Sequence, residues 1–413
     1  MFRFAHTVTS MSTLTCTGPR QRTRPDSARA SRLLSGPLAL VFLAEFSSLT
    51  SFYLLLSVTP AYAAAAGAGS AGAGLVTGVL LLGTVAAELA APVLMRRLRF
   101  RTLLTIGALL LGLPALALLA SGSLVLMVAV SVVRGFGFGL STVISGALTA
   151  MLVPPQRRGE GLGLFGVVAT APGIVALPAG VWLAGRFGIA VVVVMTAATA
   201  LVPVAAFPWL PGRTRPGAAG PGSASRLLSG LRQGSQRRPF LIFAASTMAG
   251  GVVVSFLPLA AGVSGTVVAA GLLAQALTAT VSRWWAGRSG DRRGHARLLV
   301  PALVIASAGM ITMIWVTSPV AAITGMCLFG TGFGIIQNAT FTLMIDRMAA
   351  AGPGMASAMW NLAYDAGYGA GPAIFGVFVG HTGYPAAFAA MGVLMLAALP
   401  AARREQVQIV ESK

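Results

Sequence analysis

The sequence predicts an all-α membrane protein whose twelve membrane-spanning helices form two similar six-helix bundles. Three observations lead there. A dozen apolar segments fill residues 36–401, arginines gather in every second gap between them, and the chain repeats itself at an offset of about 195 residues. The spans are read near 37–60, 74–95, 102–121, 124–151, 161–184, 189–209, 240–262, 266–287, 298–317, 319–346, 354–379 and 384–400. Most reach the ~20 residues that cross about 30 Å of hydrocarbon at about 1.5 Å per residue.

Composition agrees: 56% of residues are hydrophobic, 9% are charged and the mean hydropathy is +0.84, which excludes an ordinary soluble globule. A pI near 11.8 would suggest nucleic acid if the charge lay on one soluble domain. Here the arginines border the membrane, so the partners they imply are the bilayer and its anionic lipids, with no nucleic acid. Positive gaps stay cytoplasmic, which places the chain as a multi-pass protein of the cell membrane with both termini in the cytoplasm.

Along the chain, residues 1–35 are basic and lack an apolar run, so they read as a disordered tail in which Met1 or Met11 is the start. Span 1 ends in Ala61-Tyr62-Ala63, superficially a signal-peptide cleavage site, but its apolar stretch is too long and eleven spans follow. Residues 36–210 make the first bundle and 239–401 the second, joined by a cytoplasmic linker, 211–238. That linker is rich in Gly, Pro, Ser and Arg, with a short surface helix expected at 223–234. Residues 402–413 are a second cytoplasmic tail.

The repeat aligns Arg134-Gly-Phe-Gly-Phe-Gly139 of span 4 with Phe329-Gly-Thr-Gly-Phe-Gly334 of span 10, and Gly185 and Gly188 with Gly380 and Gly383. An even number of spans per repeat gives both bundles the same orientation, related by an axis along the membrane normal. The glycines of spans 4 and 10 stand two apart, which reads first as packing or bending and second as close approach to a ligand.

After span 8 comes Gly287-Arg-Ser-Gly-Asp291-Arg292-Arg-Gly294-His-Ala-Arg297. Gly294 suits a turn, and the carboxylate can meet a neighbouring helix N-terminus or arginine. With this pattern, the twelve spans and the repeat, residues 36–401 resemble the major facilitator superfamily, whose loop between the second and third helices of each half carries it. The resemblance implies a secondary transporter that rocks two bundles about a central cavity. It also implies a gating latch formed by Gly287, Asp291, Arg292, Gly294 and Arg297. The first-half copy departs from the pattern: Pro92-Val-Leu-Met-Arg96-Arg97-Leu-Arg99-Phe-Arg101 lacks the glycines, and Arg96 stands where the acid belongs.

Three acids fall inside spans, Glu45, Glu88 and Asp365, and a carboxylate there is costly enough to suggest function. Asp365 lies about 11 residues into span 11, roughly 16 Å deep. Asn361 sits one turn earlier, and the glycines that follow form a stretch able to bend. Its role is either substrate binding and proton coupling or a hydrogen bond between helices. Glu88 lies some 10 Å from the cytoplasmic arginines and reads as interfacial. Arg283, placed near the end of span 8, reads as a snorkelling side chain.

Arg134 lies near mid-membrane, and proton-coupled exporters of the superfamily carry an arginine at this place in the fourth helix. A buried guanidinium needs a partner, for which packing in the family offers Glu45. Gln337 and Asn338 in span 10 can orient a polar ligand. In span 5, Pro172-Gly173 and Pro178-Ala-Gly180 echo the antiporter pattern imperfectly.

These residues set the function expected: proton-coupled export of a small organic compound, through Glu45, Arg134, Asp365, Asn361, Gln337 and Asn338. The alternative is proton symport importing a polar metabolite such as a sugar or organic acid. A receptor or scaffold without transport is a further possibility, which would call for a large soluble domain. No enzyme motif, cofactor or metal site is expected, since His6, His295 and His381 are scattered and Cys16 and Cys327 stand apart. A monomer suffices for this architecture.

Overall fold

The computed structural model describes residues 35–153, 157–210, 234–260, 262–347 and 353–411. The basic N-terminal tail with Met11 and Cys16, and the surface helix expected at 223–234 but for Gly234, lie outside them. Every regular element among the described residues is helical. We label them α1 (Gly36–Leu56), α2 (Gly69–Arg97), α3 (Phe100–Leu116), α4 (Leu124–Leu152), α5 (Arg158–Phe187), α6 (Ile189–Leu201), α7 (Gly234–Phe256), α8 (Gly265–Arg293), α9 (Ala296–Thr312) and α10 (Pro319–Arg347). The helical stretch Pro353–Leu396 bends at Gly383 and supplies α11 (353–382) and α12 (384–396), and Leu399–Glu411 is α13. Short 3-10 segments extend α3, α6, α7 and α9.

Ten helical stretches among the described residues are long and apolar enough to cross a membrane. Two of them, of 62 and 53 residues, are far too long for one pass of about 20 residues. Each is bent where glycine takes a positive φ: Gly67 (92°) and Gly69 (62°) in the first, Gly383 (77°) in the second. A chain doubled back at those points fits twelve crossings. The bends fall where backbone conformations costly for a side chain are needed, which is why glycine stands there.

The repeat is built into helix lengths. Helices α2, α4, α8 and α10 each have 29 residues, and α3 and α9 each have 17. Gly188 and Gly383, aligned by the repeat, share the same left-handed turn at φ 82° and 77°. Within each half the second and third helices pack on the fourth, and the first packs on the fifth. The halves meet through α2 against α11 and α5 against α8.

The two-apart glycines of α4 and α10 are packing devices. Gly135 and Gly139, one turn apart, leave no room for a methyl against the backbone of Leu80 and Thr84 in α2. Gly137, on the opposite face, presses against Gly107 and Leu111 of α3. In the second half Gly330 and Gly334 meet Gln275 and Ala279 of α8, while Gly332 meets Ala302 of α9. Alternate glycines thus let one helix approach two neighbours, as small residues do in lipid where no hydrophobic force draws helices together. The glycines of α11 are likewise contacts: Gly367 and Gly371 seat against α7, and Gly369 and Gly376 against α2.

The tail differs from expectation. Residues 399–411 are helical, and Glu405 is fully buried between Arg347 at the end of α10 and Arg238 near the start of α7, 3.8 Å away. Gln406 adds a hydrogen bond from its Nε2 to the Arg297 carbonyl at 3.1 Å. An amphipathic helix whose acid finds two arginines folds onto the protein instead of staying loose in water.

Candidate functional site

The seam between the halves is closest where α2 begins. Gly74 sits on the Pro372 carbonyl, Gly78 faces Ala373 and Gly369, and Gly376 meets Ser70. Thr77 of α2 hydrogen-bonds Ser255 of α7 at 3.0 Å, both buried. All these residues lie toward the end of the bundle away from Arg96 and Arg97. Farther along the seam, about one turn past the middle of α2, the carboxyl of Glu88 approaches that of Asp365. Asp365 is 6% exposed, near the centre of α11. Carboxylates only accept hydrogen bonds, so two carboxyls bond to each other only while at least one carries a proton.

Glu88 therefore does not serve the arginine interface that its position in the sequence suggested. A glutamate reaches several ångströms from its Cα, and the close α2–α11 packing turns it inward. Asn361 stands half-buried one turn before Asp365.

Around Asp365 runs an aromatic ladder. Phe243 stacks on Trp360 (4.4 Å, 19°), Trp360 on Tyr364 (6.0 Å, 30°) and Tyr364 on Tyr368 (5.3 Å, 17°). Phe341 of α10 closes on Trp360 edge-on, and the Trp360 Nε1–H donates to Thr340 Oγ1 at 3.3 Å. Thr247 of α7 binds the Ala363 carbonyl at 3.2 Å and fixes α11 against α7. From the other half, Tyr53 of α1 brings its hydroxyl toward Tyr364, its ring against Gly173 of α5.

Arg283 joins this cluster. Hydropathy ends the span at 287, where this arginine would snorkel, but α8 continues to Arg293 and Arg283 sits about one turn from its middle. It is half-buried, with its guanidinium 6.0 Å from the centre of the Trp360 ring and near Tyr364 and Tyr53. Among the described residues it makes no ion pair. A cation–π contact is worth about 0.5–2 kcal/mol, less than the several kcal/mol that desolvating a guanidinium costs. One signal could have found it: the 195-residue offset sets Glu88 over Arg283, so both halves carry a charge at one place in their second helix.

Arg134 is placed differently. It is 3% exposed, and its Nε and Nη2 donate to the carbonyls of Leu111 in α3 (3.0 Å) and Ser51 in α1 (3.1 Å). The structure does not pair it with Glu45. Glu45 is 1% exposed, with its carboxyl beside the Ser145 hydroxyl and away from Arg134. The physical reason is depth, since Ser145 lies about 16 Å along α4 from Arg134 at about 1.5 Å per residue.

The remaining candidates are dispersed. Asn338 points at Gly287 of α8, 3.5 Å from where a Cβ would stand, with its Oδ1 buried and unpartnered. Gln337 is half-buried beside it. In the loop after α8, Gly294 closes the helix at φ 88° and donates its N–H to the Gly290 carbonyl at 2.7 Å. Asp291 is exposed and contacts His295 of its own loop at 3.8 Å instead of the other half. Arg292 and Arg297 are exposed.

A family model, the Major Facilitator Superfamily, matches residues 41–365, well over half the chain. The chain belongs to the major facilitator superfamily. It is accordingly a transporter and not an enzyme. Solved superfamily structures share its fold. The nucleoside transporter NupG, as a point mutant, superposes with a TM-score of 0.74 at 12% identity, covering 89% of this chain and 99% of its own. A bacterial homologue of the human lysosomal transporter Spinster, inward-facing and occupied, gives a TM-score of 0.74 at 15% identity, covering 91% and 97%. No curated protein sequence matches the chain.

Proposed function

We propose that this superfamily member is a proton-coupled secondary transporter of small organic compounds, and that the Glu88–Asp365 carboxyl pair is its coupling site. The observation that carries the reading is the meeting of these two acids, one from each half, where the close α2–α11 seam reaches mid-membrane. With a proton present the pair bonds the halves together. Without it, two like charges in a poorly solvated place repel and push the seam apart. The proton thereby biases a bistable element, as alternating access requires.

Taking the arginine-rich end as cytoplasmic, the seam described is closed to the outside. Export in exchange for protons is the direction we favour, on the arginine of α4 that exporters in the superfamily carry. Import of an organic acid with protons is the second reading, favoured by Arg283, a cation facing the interior without a carboxylate. Glu88 and Asp365 share the proton, with Asn361 a turn from Asp365. Arg134 fastens α1 and α3 to α4 so that the first half moves as one body.

Proteoliposomes given a pH gradient in each orientation test the proposal. Glu88→Gln and Asp365→Asn should each abolish gradient-driven flux while leaving substrate counterflow, which needs no net proton movement. Undiminished gradient-driven flux in both variants sinks the coupling claim, and the gradient polarity that accumulates substrate decides the direction.

A further inference from the structure

The interior holds a charged side chain that the coupling pair does not use. Arg283 presents its guanidinium to the face of Trp360, with Tyr364 and Tyr53 nearby, and none of the described carboxylates neutralises it. The other mid-membrane arginine, Arg134, already donates to two backbone carbonyls and is buried at 3% exposure. Glu88 and Asp365 are engaged with each other. An interior cation left open beside a stack of rings lacks only an anion of matching shape.

We propose that the substrate is an aromatic organic anion, its acid group held by Arg283 and its ring laid on the Trp360–Tyr364 ladder. The inference rests on the transport reading above and holds for either direction. Guanidinium offers a planar fork of N–H donors that fits a carboxylate, sulfonate or phosphate at two points, a match that neither an amide nor an amine in the ligand reproduces. The stacked rings present π-faces to a planar ligand, where offset stacking adds to simple burial. Tyr53 comes from the opposite half, so a ligand bridging Arg283 and Tyr53 touches both bodies that must move. Phe243 and Phe341 add aromatic surface beside Trp360, and the Glu88–Asp365 pair and Asn361 lie nearby on the same seam.

The test measures binding by purified protein in nanodiscs, read by quenching of tryptophan fluorescence with Trp360→Phe as the control for signal origin. Calorimetry supplies affinities independent of the probe. The ligands are three ring acids (benzoate, 1-naphthoate and indole-3-carboxylate), the matching neutral amides and the matching ring methylamines. At least one acid should bind tenfold or more tightly than its amide and its amine. Arg283→Gln should remove that preference by weakening the acid and sparing the amide, and Arg283→Lys should restore part of it. Thermal unfolding of each variant identifies any that have lost their fold.

An amide bound as tightly as its acid, an acid unaffected by Arg283→Gln, or no binding by any of the acids up to about 10 mM would overturn the proposal. Counterflow in proteoliposomes keeps the two readings apart. Acids that bind but never exchange across the membrane refute transport while leaving the anion site standing. Amides or amines that exchange in preference refute the anion site while leaving transport standing.

Discussion

Arg134 and Arg283 lie in opposite halves, each about one turn from the middle of a 29-residue helix, Arg134 before it and Arg283 past it. Their surroundings separate them. Arg134 donates to the carbonyls of Ser51 and Leu111, so the backbone of two helices holds its charge and is tied to a third. Arg283 has a ring for a neighbour and, among the described residues, no carbonyl or carboxylate bonded to it. A membrane-embedded cation is structural when the chain itself satisfies it, and available for function when the chain leaves it open. The same contrast separates the acids: Glu88 and Asp365 meet across the seam, while Glu45 is sealed in the core of one half.

Substitutions can break this comparison, and their effects should fall in order. Arg134→Ala removes two ties between helices and opens a cavity. It should cost about 2–4 kcal/mol and show as an early thermal transition in detergent. Glu405→Gln removes the carboxylate between Arg347 and Arg238. With those arginines partly in water, the loss should be about 1–3 kcal/mol, visible as faster proteolysis of the 399–411 helix. Arg283→Gln deletes a charge without an ionic partner, so stability should change by less than about 1 kcal/mol while ligand recognition is lost. Glu45→Gln should be smallest, between neutral and about 1 kcal/mol stabilising, with gradient-driven flux retained. If Arg283→Gln unfolds the protein while Arg134→Ala is silent, the assignment of roles is reversed.

Much of the fold was legible because lipid imposes it. A span must be apolar for about 20 residues, and loops near the cytoplasm collect arginine, so the segments, the repeat and the turn glycines Gly188 and Gly383 stood out in the sequence. Hydropathy marks where lipid ends, however, not where a helix ends. α8 runs through Arg288–Arg293 until Gly294 stops it, which moved Arg283 from the rim to the interior. Asp365 was legible as a mid-span acid. Its partner was not, because residue counting gives depth but not the direction a side chain takes around the helix. Glu45 and Arg134 failed as a pair for the converse reason: adjacent helices were inferred, but not the register between them. The buried role of Glu405 was hidden in a short amphipathic helix that only its docking makes stable.

Spin labels at Ser70 and Gly380 test the central claim most directly. An added Cβ at Gly380 would lie 3.4 Å from the Ser70 hydroxyl, across the seam from α2 to α11. After Cys16 and Cys327 are replaced, dipolar broadening of the continuous-wave electron paramagnetic resonance spectrum reads the short distance at acid and alkaline pH, and pulsed measurements read any longer population. The shared proton predicts one short distance at acid pH and a growing longer population at alkaline pH. In the double variant Glu88→Gln/Asp365→Asn, the short distance should persist at both. Identical distributions at both pH values in the parent protein, or a pH response that survives in the double variant, would contradict the account.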